Sequence, residues 1–495
     1  PRAEAGTHEI VPCTWVFKRK RRPDGEISKL KARLCVRGDQ QRETGQTMAE
    51  TFAPVVDWGT LRTLFALTIQ FGLYSQQIDF KNAFVQSSLP APIYLELPPG
   101  GYRNNPDLQG KVLKVSKSLY GDRRAPKLWF DHCRRILTSE KYGFSTNDHL
   151  DPCLFLRPDC AIVLYVDDAI IVARNKATVD SIISQLEKDN LDLTREGDIA
   201  AYLGVKVDTL PTGTWHLRQP GLTTRIIEAL GLGESRTKDT PAVEPIGRCE
   251  SEAPFSGDFN YRSIIGMLMY LGNNTRPDCS LAIHQCARFC NNPKITHEKA
   301  LKRIGRYLAG TKEMGLMMQK SDHFAVDCYV DASFAGDWGY VDRDDPSCAK
   351  SRTGYVITVG DMPVVWASKM QTEIALSTME AEYIALSTAM RALLPMRRIQ
   401  QSFCVAFGIP LTERSRVSMV WEDNRAAKIL AANDPPRMTP RSKHIAIKYH
   451  WFRSHLEPNA IEIHYIETSR QKADILTKPL QKQKFQMARG LLMGW

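Results

Sequence analysis

The stretch LYVDDAIIVA, residues 164–173, decides how this chain is read: two adjacent carboxylates, Asp167 and Asp168, interrupt an otherwise apolar run. CAIVLYV before them and AIIVA after them are β-branched and of strand length, which predicts two strands joined in a tight hairpin at the aspartates. Asp favours turns, so the pair has a plain structural reading, but Gly or Asn would make the turn with less charge. Two carboxylates this close repel, and one is driven towards its neutral form unless a cation neutralises them. A divalent metal is the natural cation, and it calls for a third carboxylate. Asp79, at the end of the strand-like YSQQI, is the candidate. All-oxygen ligands favour magnesium over zinc, and three carboxylates with two magnesium ions suit in-line phosphoryl transfer.

The rest of the composition fits a large globular protein. The 495 residues exceed one ordinary core, so two or more domains are expected. With 43% hydrophobic and 24% charged residues the chain is neither disordered nor fibrous. A net charge of +11 favours an anionic partner such as nucleic acid. Twelve cysteines without regular spacing fit reduced thiols in a cytosolic or nuclear setting. Their densest group, Cys279, Cys286 and Cys290 with His284, matches no standard zinc spacing and reads as core. The chain opens on Pro1 rather than Met, with no signal-peptide pattern, which fits a piece of a larger polyprotein. No apolar run reaches membrane-span length, so a soluble protein without a membrane partner is expected.

TWVFKRK, KARLCVRG, ETFAPV, IDFKNAF, IYLELPPGGY, KSLYGDRRAP and YVDD follow one another in this order. From about residue 10 to 250 the chain thereby resembles the reverse transcriptases of copia-type LTR retrotransposons. The resemblance implies a right-hand polymerase with fingers, palm and thumb. It makes Asp79 and Asp167 the main metal ligands, with Asp168 beside them. Phe84 matches the aromatic gate that would clash with a ribose 2′-hydroxyl. Arg33 matches the arginine that holds the incoming triphosphate, a role suited to a planar, permanently charged fork. Lys31 and Arg37 share that work or are surface strand charges. Tyr120 and Gly121 match the segment that contacts nucleotide and template. Asp122 and Arg124 depart from the family's common Leu and Gln, which leaves substrate contacts there open.

Residues 175–245 read as short helices around the strands YLGVKVDTL and GTWHLRQ and resemble the family's thumb. EPIGRCESEAPFSGDF is a linker by composition, and YRSIIGMLMYLGNNTRPD is similar to the connecting segment. In THEKALKRIGRYLAG, Leu301, Ile304 and Leu308 share one helical face, while Lys299, Lys302, Arg303 and Arg306 gather on the other. That basic face either tracks a nucleic-acid backbone or is simply solvated.

A second carboxylate set follows. Asp331 lies within a strand, and Asp423 follows the strand VSMVW before a helical NRAAKILAA; Asp474 sits in SRQKADILTKPL, read as a further helix. In LSTMEAEYIALSTAMRALL, Ser377 and Glu380 form a capping box, giving Glu380 a structural task. Glu382 shares its face with Ala385, Leu386 and Ala389, where a carboxylate needs a cation; Glu380 stays open as the alternative ligand. YVDASFAGD, STMEAEYIAL, EDNRAA, KHIAIKYHWFR and ADILTK together resemble the copia-type RNase H. By that resemblance Asp331, Glu382, Asp423 and Asp474 bind two magnesium ions and cut the RNA strand of a hybrid. The usual His before the last Asp is missing, and His444 lies far upstream.

The expected architecture is α/β and α+β multidomain: polymerase fingers and palm over 1–174, a thumb-like region over 175–245, linker and connection over 246–322, and an RNase H-like mixed-sheet domain over 323–495. The expected activity is that of an RNA-directed DNA polymerase and ribonuclease H with Mg2+, or Mn2+ in its place. The expected partners are RNA template, DNA primer, RNA–DNA hybrid, deoxynucleoside triphosphates and other polyprotein segments, in cytoplasmic virus-like particles or the nucleus. Two alternatives stand beside it: a decayed or host-adopted copy that only binds nucleic acid, and a segment active only once assembled into particles.

Overall fold

The computed structural model describes residues 1–21, 27–41, 51–100, 102–338, 345–432, 447–456 and 460–495. It is mixed α/β and divides into two compact units, Pro1–Asp57 with Tyr74–Asp198, and Trp58–Leu73 with Ile199–Trp495. No helix of the described residues is long and apolar enough to cross a membrane.

The first unit is built on a six-stranded antiparallel sheet. Its centre is the predicted hairpin, Cys160–Tyr165 and Asp168–Ala173, with Tyr74–Phe80 paired on the other side. The two hairpin strands are apolar on both faces, and the helices Ala125–Leu137 and Lys176–Lys188 cover one face of the sheet. Cys133, Leu137 and Leu186 from the helices meet Ile78, Phe80 and Ile171 from the sheet. A basic two-stranded ribbon, Cys13–Arg21 and Ile27–Val36, and a three-stranded sheet complete the unit. Ribbon and small sheet share a core of Val11, Cys13, Val36 and Leu95.

The second unit contains a four-stranded antiparallel sheet, a group of helices and a five-stranded mixed sheet. In the mixed sheet the order is Met362–Met370, Arg352–Val359, Val326–Ser333, Ser418–Glu422, Ile461–Tyr465. The first two pairings are antiparallel and the last two parallel. The helix Thr378–Ala406 packs on the central strand, every residue of which is buried. The helix Trp58–Phe71 belongs to this unit although it lies in the stretch read from sequence as polymerase. It is buried almost all round, its polar Thr60, Arg62, Thr63, Thr68 and Gln70 included, so it lies in an interior. Its Arg62 lies 4.0 Å from the Trp366 ring and donates to the carbonyls of Val364, Asn273 and Asn274 at 2.7, 3.0 and 3.2 Å.

Candidate active sites

In the first unit the hairpin turn is tight enough to put Val166 at φ 56°, a conformation β-branched residues avoid. Two contacts hold it there. Trp129 donates its indole N–H to the Val166 carbonyl at 2.5 Å, and the Phe80 amide donates to the Asp167 carbonyl at 2.7 Å. Register then sets Asp168 directly opposite Asp79. Burial, followed by the charges of Asp167, Asp79 and Glu196, pushes the Asp168 carboxyl up to about 6. The three aspartates form one electrostatic cluster, as the turn argument requires.

The other residues singled out for this site surround Tyr120. The Arg33 guanidinium lies 4.9 Å from the centre of its ring, and the Phe84 ring centre is 5.0 Å away. Burial raises the Tyr120 hydroxyl, with the Arg33 charge opposing and the charges of Asp167 and Asp79 adding. Gly121 makes this convergence feasible. It takes φ 89°, and a Cβ there would meet the Val36 carbonyl oxygen at 2.1 Å. The Val36 amide donates to the Tyr120 carbonyl at 2.8 Å, so the end of the basic ribbon is pinned against this turn. Gly121→Ala is expected to cost about 2 kcal/mol or more, seen as a lower urea midpoint at unchanged slope.

Lys31 faces Lys18 across the ribbon, and Arg37 forks onto Asp39 at 2.9 and 2.7 Å. Asp122 and Arg124 bind each other: the buried Asp122 carboxylate accepts from the Arg124 amide at 3.0 Å and from its guanidinium at 3.4 Å. They shape the turn into the helix Ala125–Leu137.

Among the described residues, Asp331, Glu382 and Asp423 are the one group of three or more potential ligands whose ligand atoms all lie within 4.8 Å of one another. Asp331 sits in the central strand and Asp423 follows the neighbouring one, while Glu382 comes from the first turns of the packed helix. Glu380 is used otherwise: its amide donates to Ser377 at 3.2 Å, and its carboxylate accepts from the Leu376 amide at 2.7 Å. Asp474 joins through Lys478, whose ammonium binds Asp474 at 2.8 Å and Asp331 at 3.3 Å. The segment around Asp474 is a three-residue 3-10 turn, Asp474–Leu476, rather than the expected helix. Pro479 disfavours helical backbone at the residue before it.

Glu422, Thr468 and Thr477 were missed by the sequence reading. Glu422 is fully buried in strand alternation with Ser418 and Val420, the one signal that pointed to it. Thr468 donates to Asp423 at 2.8 Å, and the Thr477 hydroxyl donates to Asp331. Burial drives Glu382 well above the ordinary carboxylate range, with Glu422, Asp331 and Asp423 adding; burial likewise raises Glu422. Burial pushes Asp331 up to about 7 against the pull of Lys478. Glu382 Oε2 and Glu422 Oε2 are buried atoms without a hydrogen-bond partner among the described residues. Orphaned anionic oxygens of this kind fit a divalent cation. His444 lies outside the described residues.

On the helix Ile295–Gly310 the four basic residues are engaged unequally. Lys299 is exposed, but Lys302 pairs with Glu298 at 2.7 Å. Arg303 donates to the Thr240 carbonyl at 3.1 Å and hydroxyl at 2.8 Å, and the Arg306 carbonyl accepts from the Lys238 amide at 3.3 Å. Of the four basic side chains, Arg303 is the one whose hydrogen bonds reach another segment among the described residues, while Lys302 is tied within its own helix.

A family model described as reverse transcriptase (RNA-dependent DNA polymerase) matches residues 4–244. The retrovirus-related Pol polyprotein from transposon RE1 of Arabidopsis thaliana is 33% identical over 482 residues, covering 96% of this chain and 31% of that protein. Its counterpart from transposon TNT 1-94 of Nicotiana tabacum is 31% identical over 513 residues, covering 98% and 36%. The chain thus spans about a third of the length of these relatives. Among solved structures, the N-terminal RNase H domain of a Mycobacterium tuberculosis protein, fused to maltose-binding protein, covers 33% of this chain and 96% of that one, at 14% identity and a TM-score of 0.21. That score is too low to bear on the fold. The motif order, the family match and the similarity over nearly all of this chain to plant Pol polyproteins agree: residues 4–244 match the reverse transcriptase family, and the relatives of the chain are Pol polyproteins of copia-type transposons.

Proposed function

We propose that this chain copies RNA into DNA at the Asp79–Asp167–Asp168 site and cuts the RNA strand of RNA–DNA hybrids at the Asp331–Glu382–Asp423–Asp474 site. Two magnesium ions at each site, with manganese as a substitute, would activate the attacking hydroxyl or water and stabilise the leaving oxygen. The observation that carries the reading is the register of Asp168 opposite Asp79 beside the Tyr120, Arg33 and Phe84 group. In this reading Arg33 holds the triphosphate with its fork, and Phe84 closes the space a ribose 2′-hydroxyl would need. Fingers and palm extend over 1–174, the thumb over 175–245, the connection over 246–322 and the RNase H-like domain over 323–495. The segment works in a particle with other polyprotein products. A hybrid near A-form is gripped through phosphates and sugars, which suits a charge of +11. Asp122 and Arg124 support a structural turn, so their departure from the family pattern leaves the carboxylates untouched.

The test is deoxynucleotide incorporation on a primed RNA template with magnesium, comparing the unaltered chain with Asp167→Asn. The expected loss is at least about a thousandfold, roughly 4 kcal/mol of transition-state stabilisation. If neither protein extends the primer while both bind hybrid, the chain is a binding module and the polymerase reading fails.

A further inference from the structure

Lys478 is the cation already inside the second site. Five carboxylates converge there, Asp331, Glu382, Glu422, Asp423 and Asp474, and among the described residues one ammonium, that of Lys478, forms ion pairs with them. It does not answer them evenly. Lys478 Nζ is 2.8 Å from Asp474 Oδ1 and 3.3 Å from Asp331 Oδ1, whereas the buried Oε2 atoms of Glu382 and Glu422 have no hydrogen-bond partner among the described residues. The lysine therefore neutralises the Asp331–Asp474 edge and leaves the Glu382 side of the cluster with excess negative charge.

Two further details make the ammonium replaceable. The Lys478 side chain is 41% exposed, so its flexible stem can carry the charge into water without crossing packed core. Thr477 donates to Oδ2 of Asp331, the oxygen that Lys478 does not touch, so the carboxylate keeps its orientation when the lysine leaves. The ammonium end of these pairs reaches solvent, while the Asp331 and Asp474 side chains, 1% and 14% exposed, stay in place to receive a divalent cation.

We infer that Lys478 competes with metal for the Asp331–Asp474 edge, so that this site binds its cations with two unequal affinities, the weaker one set by displacement of the lysine. The inference rests on the proposed metal-binding role of these carboxylates. On the Glu382 side a cation meets oxygens for which no donor among the described residues competes. At Asp474 a cation must first break the ion pairs of Lys478.

The experiment is calorimetric titration of the full chain with Mn2+, together with thermal unfolding with and without Mg2+. An Asp167→Asn/Asp168→Asn background keeps the first site from contributing. Two affinity classes are expected. Lys478→Gln should tighten the weaker class by about tenfold, lower the melting temperature in metal-free buffer, and enlarge the rise that Mg2+ produces. Lys478→Arg, whose fork grips two carboxylates more firmly, should move the weaker class in the opposite direction. The Arg variant carries the test if the Gln variant does not fold. If the variants leave both classes unchanged and shift the melting temperature equally with and without Mg2+, Lys478 is only a structural tie and the inference falls. If the Lys478-containing chain takes up no Mn2+, and Glu382→Gln makes no difference, the metal-site reading itself falls.

Discussion

Glu382→Gln is expected to abolish hybrid cleavage while making the metal-free protein more stable. Cleavage should fall by at least about a thousandfold, because this carboxylate lies within ligand distance of Asp331 and Asp423 and carries an oxygen that no donor among the described residues satisfies. The stability change has the opposite sign because the cluster is held together against its own repulsion. Glu382, Glu422 and Asp331 all have carboxyls raised in the folded protein, so the fold favours their protonated forms. Stability from such groups is complete below the unfolded carboxylate range and is lost as pH rises, for Asp331 up to about 7. At neutral pH in magnesium-free buffer, Glu382→Gln therefore relieves a cost, with an expected rise of roughly 2–4 °C in melting temperature. The gain should shrink on acidification to pH ~4, and Mg2+ should stabilise the unaltered chain more than the variant. A variant that melts lower at neutral pH without metal would show that Glu382 is packed as an ordinary structural residue.

The second large effect is purely structural. Arg276 and Asp278 form an ion pair with side chains only 1% and 0% exposed, joined at 3.0 and 2.8 Å. Thr311 takes two further donations from Arg276 at 2.9 and 2.8 Å, and the Tyr307 hydroxyl donates to Asp278 at 2.5 Å. Arg489 of the C-terminal helix Lys482–Met493 reaches the Tyr307 hydroxyl at 3.1 Å, so the network ties that helix to the helix Ile295–Gly310. Arg276→Met leaves a carboxylate buried without its counter-charge, and about 3–5 kcal/mol should be lost in urea unfolding. Adding Asp278→Leu removes the stranded charge and should recover part of that loss. If the single change costs under about 1 kcal/mol, water reaches the pair and its burial is not what the packing indicates.

The parts of both sites that were legible in the sequence share one cause. Asp167, Asp168, Asp79, Asp331 and Asp423 interrupt or end apolar strand patterns, and Glu382 interrupts an apolar helix face; a charge where the pattern demands a hydrophobe is visible without coordinates. What the pattern could not supply was pairing. That Asp168 stands opposite Asp79, and that Lys478 spans Asp474 and Asp331, depends on register and on contacts between residues far apart in sequence. Glu422 escaped because it adjoins Asp423 and fell between the strand read as VSMVW and the helical NRAAKILAA, although two-residue alternation put it inside. The helical wheel correctly separated Leu301 and Ile304 from the basic residues. It could not see that residues 238–240 pack along the basic side and occupy Arg303.

The helix Trp58–Phe71 also has a consequence in time. Its resting place includes the strand Met362–Met370, about 290 residues further along the chain. At a synthesis rate of about 5–20 residues per second, a helix that the fold buries on nearly every side waits roughly 15–60 s for its partner to emerge from the ribosome. During that interval it is a natural client for chaperones and a seed for aggregation. A chain cut after residue 198 would extend that interval indefinitely, so the polymerase segment made alone should aggregate unless the second unit is supplied with it.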